Sequence, residues 1–150
     1  MSIRRFSVKY FVQGDFAFDL DALIPIYHRW IQQHALEGLL LDVADYKHVF
    51  QGPGILLIGH EGDYGFDLRK GRAGLRYSYK RGLTGNLSED LQTALRRAAD
   101  AARKLEGEES LNGLRFDLSE VEITFEDRLN VPNTPEAFAQ IESRDRKSVV

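Results

Sequence analysis

"GPGILLIGHEGDYGFDL", residues 52–68, decides the fold. An apolar run, Ile55–Ile58, is closed by His60, Glu61 and Gly62. It is followed by a second run in which Tyr64, Phe66 and Leu68 alternate with charged or small residues. Alternation at period two marks a strand with one buried face, and so short a glycine-containing connection makes the two runs antiparallel neighbours. Downstream, "RKGRAG" (69–74) leads into "LRYSYKR" (75–81), where Leu75, Tyr77 and Tyr79 share a face. Upstream, "QGPG" (51–54) turns "LLLDVADYKHVF" (39–50) back into the run that starts at Ile55. The result is a meander. Asp63 and Asp67 on one strand and Arg76 and Lys80 on the next occupy its second face, where cross-strand ion pairs are expected.

The flanks add helices and outer strands. Residues 3–12 alternate, with Phe6, Val8, Tyr10 and Val12 on one side and Arg5, Ser7 and Lys9 on the other. Leu20, Leu23, Ile24, Tyr27, Trp30, Ile31, His34 and Ala35 follow helical spacing behind an Asp19 cap, with Gly38 as the expected stop. His34, inside that stripe, reads as a core histidine. Pro25 implies either a kink or a preliminary turn over 19–24 with the main helix starting beside it. "NLSEDLQTALRRAADAARKLE" (86–106) is a helix with Ser88 as the expected cap and an alanine-rich inner face. "SEVEITFEDR" (119–128) is a last strand whose Glu120, Glu122 and Glu126 complement Arg5 and Lys9, which places it beside the first. A short helix near 135–141 and a mobile charged tail over 144–150 complete the expected organisation, one domain over 1–143.

The order β-α-β-β-β-β-α-β-α therefore predicts an α+β fold. One mostly antiparallel sheet of about six strands carries both long helices on one face. In element order alone this resembles the ferredoxin-like plan, a two-layer sandwich, enlarged by a hairpin. That plan hosts many unrelated functions, so function has to be argued from a site.

Composition narrows the classes. The chain has 150 residues, 43% of them hydrophobic, and 20 basic residues against 23 acidic ones, a formal net charge of -3. A core can form without staples, and no net field draws the chain to nucleic acid or anionic lipid. The tyrosines at 77 and 79 alternate with Arg76 and Lys80, so no base-stacking platform with a basic surround forms. There is no cysteine, and neither a membrane-spanning run nor a signal-peptide pattern is found, so a cytoplasmic location is expected. Phosphate loops, dinucleotide fingerprints, zinc-protease helices, nucleophile elbows and calcium loops are all missing from the sequence, and no cofactor or metal is expected.

What remains is an ionisable group at one end of the meander. The strand over 41–48 places Asp42, Ala44, Tyr46 and His48 on one face, and its antiparallel return brings Asp42 and Asp45 toward His60, with Glu61 and Asp63 in the hairpin. His60 as a base, oriented by Asp42 or Asp63, would make a catalytic pair. Tyr46, His48, Glu61 and His28 are the candidate ligand-binding residues around it. The same cluster is equally what a wet hairpin tip accumulates. Two functions follow. One is a non-catalytic binding or assembly module, with a small-molecule ligand, a protein partner or a homo-oligomer as its product. The alternative is a small cofactor-independent hydrolase or lyase using a His60–carboxylate pair at a sheet-end pocket.

Overall fold

Phe6–Val12 forms β1, and everything else is arranged around its two neighbours. In this computed structural model, which describes residues 5–46, 48 and 54–125 (of residue 70, the backbone only), Leu23–Gln33 is helix α1 and Leu87–Glu106 helix α2. Leu40–Tyr46, Gly54–Gly59, Gly62–Asp67, Gly74–Tyr79 and Phe116–Phe125 are β2 to β6. They make one six-stranded sheet in the order β2-β3-β4-β5-β1-β6, with every neighbouring pair antiparallel. The meander is present, and the acidic last strand lies beside the first as charge complementarity indicates. The expected helix at 135–141, the tail, the turn over 51–53 and the position of Glu126 fall outside the described residues.

One face of the sheet is apolar throughout. Register aligns Phe6 with Tyr79, Val8 with Tyr77 and Tyr10 with Leu75; Tyr77 in turn faces Tyr64, and Tyr64 faces Leu57. These side chains are buried together with Tyr27 and Trp30 of α1 and Ala94, Ala98, Ala101 and Ala102 of α2. Both helices therefore cover this face, α1 over β2 and β3, α2 over β5, β1 and β6. Alanines let α2 approach the tyrosines closely, and Tyr64, Tyr77 and Tyr79 pack in tilted pairs with centroids 4.8 and 5.8 Å apart. Phe16 and Phe18, in the loop after β1, close the far end of the core against Phe66.

Helix boundaries differ from the periodicity in two places. Asp19 caps only a 3-10 turn, Leu20–Ala22, and Pro25 falls in the first turn of α1. That is the second of the two arrangements the proline allows. The helix then stops at Gln33, because His34 adopts the left-handed conformation (φ 50) that ends it, and His34 is exposed instead of buried in the core. For α2 the cap is Asn86, whose side chain accepts from the Glu89 N–H, two residues before the serine expected to do so.

The helix-free face is polar, and its central feature is Lys9. In register Lys9 stands between Arg76 and Glu122. Like charges directly opposite one another are unfavourable, and Lys9 does not reach sideways to the glutamate on β6 as the sequence suggests. Its stem runs over Gly74 to the Asp67 carboxylate (2.8 Å) and the Arg72 carbonyl (2.6 Å), and the whole residue is buried. Gly74 makes this crossing possible. A Cβ there would lie 2.8 Å from Lys9 Cε and 2.4 Å from the Tyr10 carbonyl oxygen. Arg69 Nε completes the pairing of Asp67 at 2.8 Å. Burial alone would raise the Asp67 carboxyl, but the hydrogen bonds from Lys9 and Arg69 outweigh it and hold the group below its ordinary range.

Two outcomes follow for stability. Lys9→Met leaves a buried carboxylate without its main partner and should lose about 3 kcal/mol in urea unfolding, with Gly74→Val destabilising in the same direction. Because the Asp67 pKa is depressed, its stabilisation is complete well above 3.8 and is lost as pH falls below 3.8 toward the folded value. Acid unfolding of Asp67→Asn should therefore show a flatter pH dependence in that window than the parent chain.

Candidate functional site

The three ionisable residues at the β3–β4 hairpin leave it in three directions. His60 is exposed, and its backbone N–H donates to the Leu39 carbonyl at 2.8 Å while its own carbonyl accepts from Arg81. Among the described residues no hydrogen bond joins its imidazole to Asp42 or Asp63. Asp63 points to the helix-free face, where Oδ1 accepts from Lys80 Nζ at 2.9 Å and the Gly59 N–H at 3.3 Å. This is one of the cross-strand ion pairs expected from the alternation. Glu61 goes to the other side, under the edge of α2.

What draws Glu61 there is Arg97. This arginine lies on the buried face of α2, three residues after Ala94 and four before Ala101, so helical spacing alone would have placed it inside. A buried guanidinium must have its donors met. Arg97 donates to the Tyr77 hydroxyl at 2.8 Å, to Glu61 Oε1 at 3.1 Å and to Glu37 Oε2 at 3.3 Å. The Glu61 carboxylate fits between two left-handed glycines. A Cβ at Gly82 would come within 2.7 Å of Oε2, and one at Gly38 within 3.3 Å of Oε1. Gly62 leaves room for the Tyr77 ring, to which a Cβ would approach within 2.4 Å. Burial, partly offset by Arg97, pushes the Tyr77 phenol up to about 12, so it stays protonated.

The other sequence candidates are dispersed. Asp42 is exposed on the helix-free face and accepts from the neighbouring Val43 N–H. Asp42 and Asp63 do lie on either side of Ile58 in register, so the meander brings these two carboxylates onto one row. Tyr46 ends β2 and is exposed on the same face, His48 lies beyond the strand in a turn, and His28 is on the outer side of α1. Among the described residues no group of three histidine, aspartate or glutamate side chains is placed to hold a metal ion.

A concave site does exist, one row away from the expected one. A cleft of about 140 Å³ opens on the helix-free face above Gly65, flanked by Leu56 on β3 and by Arg76 and Ser78 on β5. Asp63 and Asp67, two residues to either side of Gly65, form its ends with Arg69. Both carboxylates are held by cations, Asp63 by Lys80 and Asp67 by Lys9 and Arg69. Arg69 meets Asp67 through Nε, and its side chain is about half exposed at the cleft. Comparison with known proteins found no matching family model, no matching curated protein and no matching solved structure.

The Arg97 cluster predicts a specific sensitivity. Arg97→Met should unfold at lower urea concentration by about 3 kcal/mol, since it leaves Glu61 without its partner and removes the Tyr77 donor. Alanine at His60, whose side chain is exposed and whose backbone bonds the substitution keeps, should change stability by less than about 0.5 kcal/mol.

Proposed function

We propose that this chain is a non-catalytic binding module whose ligand site is the cleft above Gly65, and that the ligand is a small molecule presenting an anionic group. The observation that carries this reading is the pairing of both cleft carboxylates. A general base has to be free and poised near the working pH. Asp67 is instead held below its ordinary range with both oxygens bonded, and Asp63 is tied to Lys80. The cleft is lined by Arg69, Arg76 and Ser78 beside the apolar wall of Leu56. The Arg69 guanidinium, held through Nε by the Asp67 carboxylate, is pre-organised for a carboxylate or phosphate oxygen.

The second reading, a small cofactor-independent hydrolase or lyase built on His60, has less in its favour. Its base and its orienting carboxylate make no hydrogen bond among the described residues, and no cleft residue is a histidine. The strand order itself fits the ferredoxin-like plan with an added hairpin, in which the face left free of helices is available for binding. That likeness supports the placement of a site on this face and says nothing about the ligand.

Titrating the chain with acetate and with inorganic phosphate tests the proposal through amide chemical shifts. One of the two anions should move the Gly65, Arg76 and Ser78 amides in a saturable way, with a dissociation constant on the order of 1 mM for so small a probe. Arg69→Ala should weaken that response at least about fivefold. Shifts spread evenly over the surface, or unchanged in Arg69→Ala, would overturn it.

A further inference from the structure

Two buried hydroxyls, those of Tyr27 and Tyr64, have no hydrogen-bond partner among the described residues. A buried polar group left unmatched costs stability, so each requires a physical reason. Their surroundings differ. Tyr64 lines a second cavity, of about 10 Å³, on the helix side of the sheet, together with Tyr77, Arg97, Glu37 and Glu61. Tyr27, packed against the Trp30 ring, does not line it. Burial raises the Tyr64 phenol above its ordinary range, and Tyr77, Arg97, Asp100 and Glu37 act on it as well. All of these but Asp100 line the cavity, so the Tyr64 hydroxyl belongs to its polar end.

We propose that this cavity is the binding site of one structural water molecule, which joins the Tyr64 hydroxyl to the Arg97 cluster. The volume is about that of a single water-sized sphere, and a buried water needs roughly two to four polar partners. Both signs of partner are present. The Tyr77 hydroxyl accepts from Arg97 and keeps its own proton to give. Arg97 donates to Glu37, Tyr77 and Glu61, and a guanidinium carries more N–H groups than these bonds use. The Glu37 and Glu61 carboxylates supply the acceptors for the water's own protons. Any ligand built on carbon exceeds the space, and a dry void would leave the Tyr64 hydroxyl unmatched at a charged lining. Through the water Arg97 holds β4 as well as β5 and the hairpin.

A crystal structure of the full chain should show one water within about 3.2 Å of Tyr64 Oη. Phenylalanine variants read the same site in solution, because they keep the ring and remove only the hydroxyl. Tyr64→Phe takes away a hydrogen-bonded group and should raise the unfolding equilibrium constant at least about fivefold. Tyr27→Phe takes away an unmatched one and should leave that constant unchanged or lower it. A Tyr64 Oη with no density peak in hydrogen-bond range, or one bonded directly to a carboxylate, overturns the inference. So does a Tyr64→Phe chain as stable as the parent. A bromide soak that replaces the peak with an anomalous scatterer would identify the occupant as an anion and overturn it too. The cavity shares no lining residue with the cleft above Gly65, so this inference and the anion-binding proposal fail separately.

Discussion

Arg97 is the constraint on which the arrangement of this molecule depends. A guanidinium buried between a helix and a sheet is tolerated only where each of its donors meets an acceptor. Here the acceptors come from three separate parts of the chain: Glu37 after α1, Glu61 at the β3–β4 hairpin and Tyr77 on β5. Satisfying one side chain therefore ties the segment after α1, the β3–β4 hairpin and α2 to one another. The glycines at 38, 62 and 82 follow from this, since each leaves space that the carboxylate or the phenol occupies. It also decides what the hairpin can do chemically. A glutamate committed to Arg97 is not available to orient a histidine, and Asp63, two residues on, is committed to the opposite face.

The helix-free face repeats the logic with a lysine. Lys9 crosses Gly74 to reach Asp67, and the segment between β4 and β5 closes over it through the Arg72 carbonyl. Charged residues on this face are thus organised as pairs that hold one another in place, Lys9 and Arg69 on Asp67 and Lys80 on Asp63.

Much of the architecture was legible because it rests on period. Strand alternation from Phe6 to Phe125 and the alanine stripe of α2 report burial directly, and the glutamates of β6 against Arg5 and Lys9 correctly placed the last strand beside the first. What was not legible depended on which of several similar groups a buried partner selects. Asn86 and Ser88 are both good caps, and only the geometry of the incoming chain chooses Asn86. His34 fits the apolar spacing of α1, but its left-handed backbone turns it out to solvent. Lys9 looked like a partner for the acids of β6; the arginine opposite it and the glycine beside it sent it the other way. For Arg97 the signal was present, a charged residue at a core position between Ala94 and Ala101, and it indicated that some carboxylate must come to meet it. Sequence reasoning gathered Asp42 and Asp63 about His60; in the fold the two carboxylates share a row across Ile58, and the cleft lies one row further along, over Gly65, where the missing side chain gives no cue of its own.

Glu61 is bound to Arg97 and not free at the hairpin, and a double-mutant cycle measures this directly. Unfolding free energies of the parent, Arg97→Met, Glu61→Gln and the double variant should give a coupling energy of about 2 kcal/mol. Additivity to within about 0.5 kcal/mol would mean that the Glu61 carboxylate is uncommitted at the hairpin.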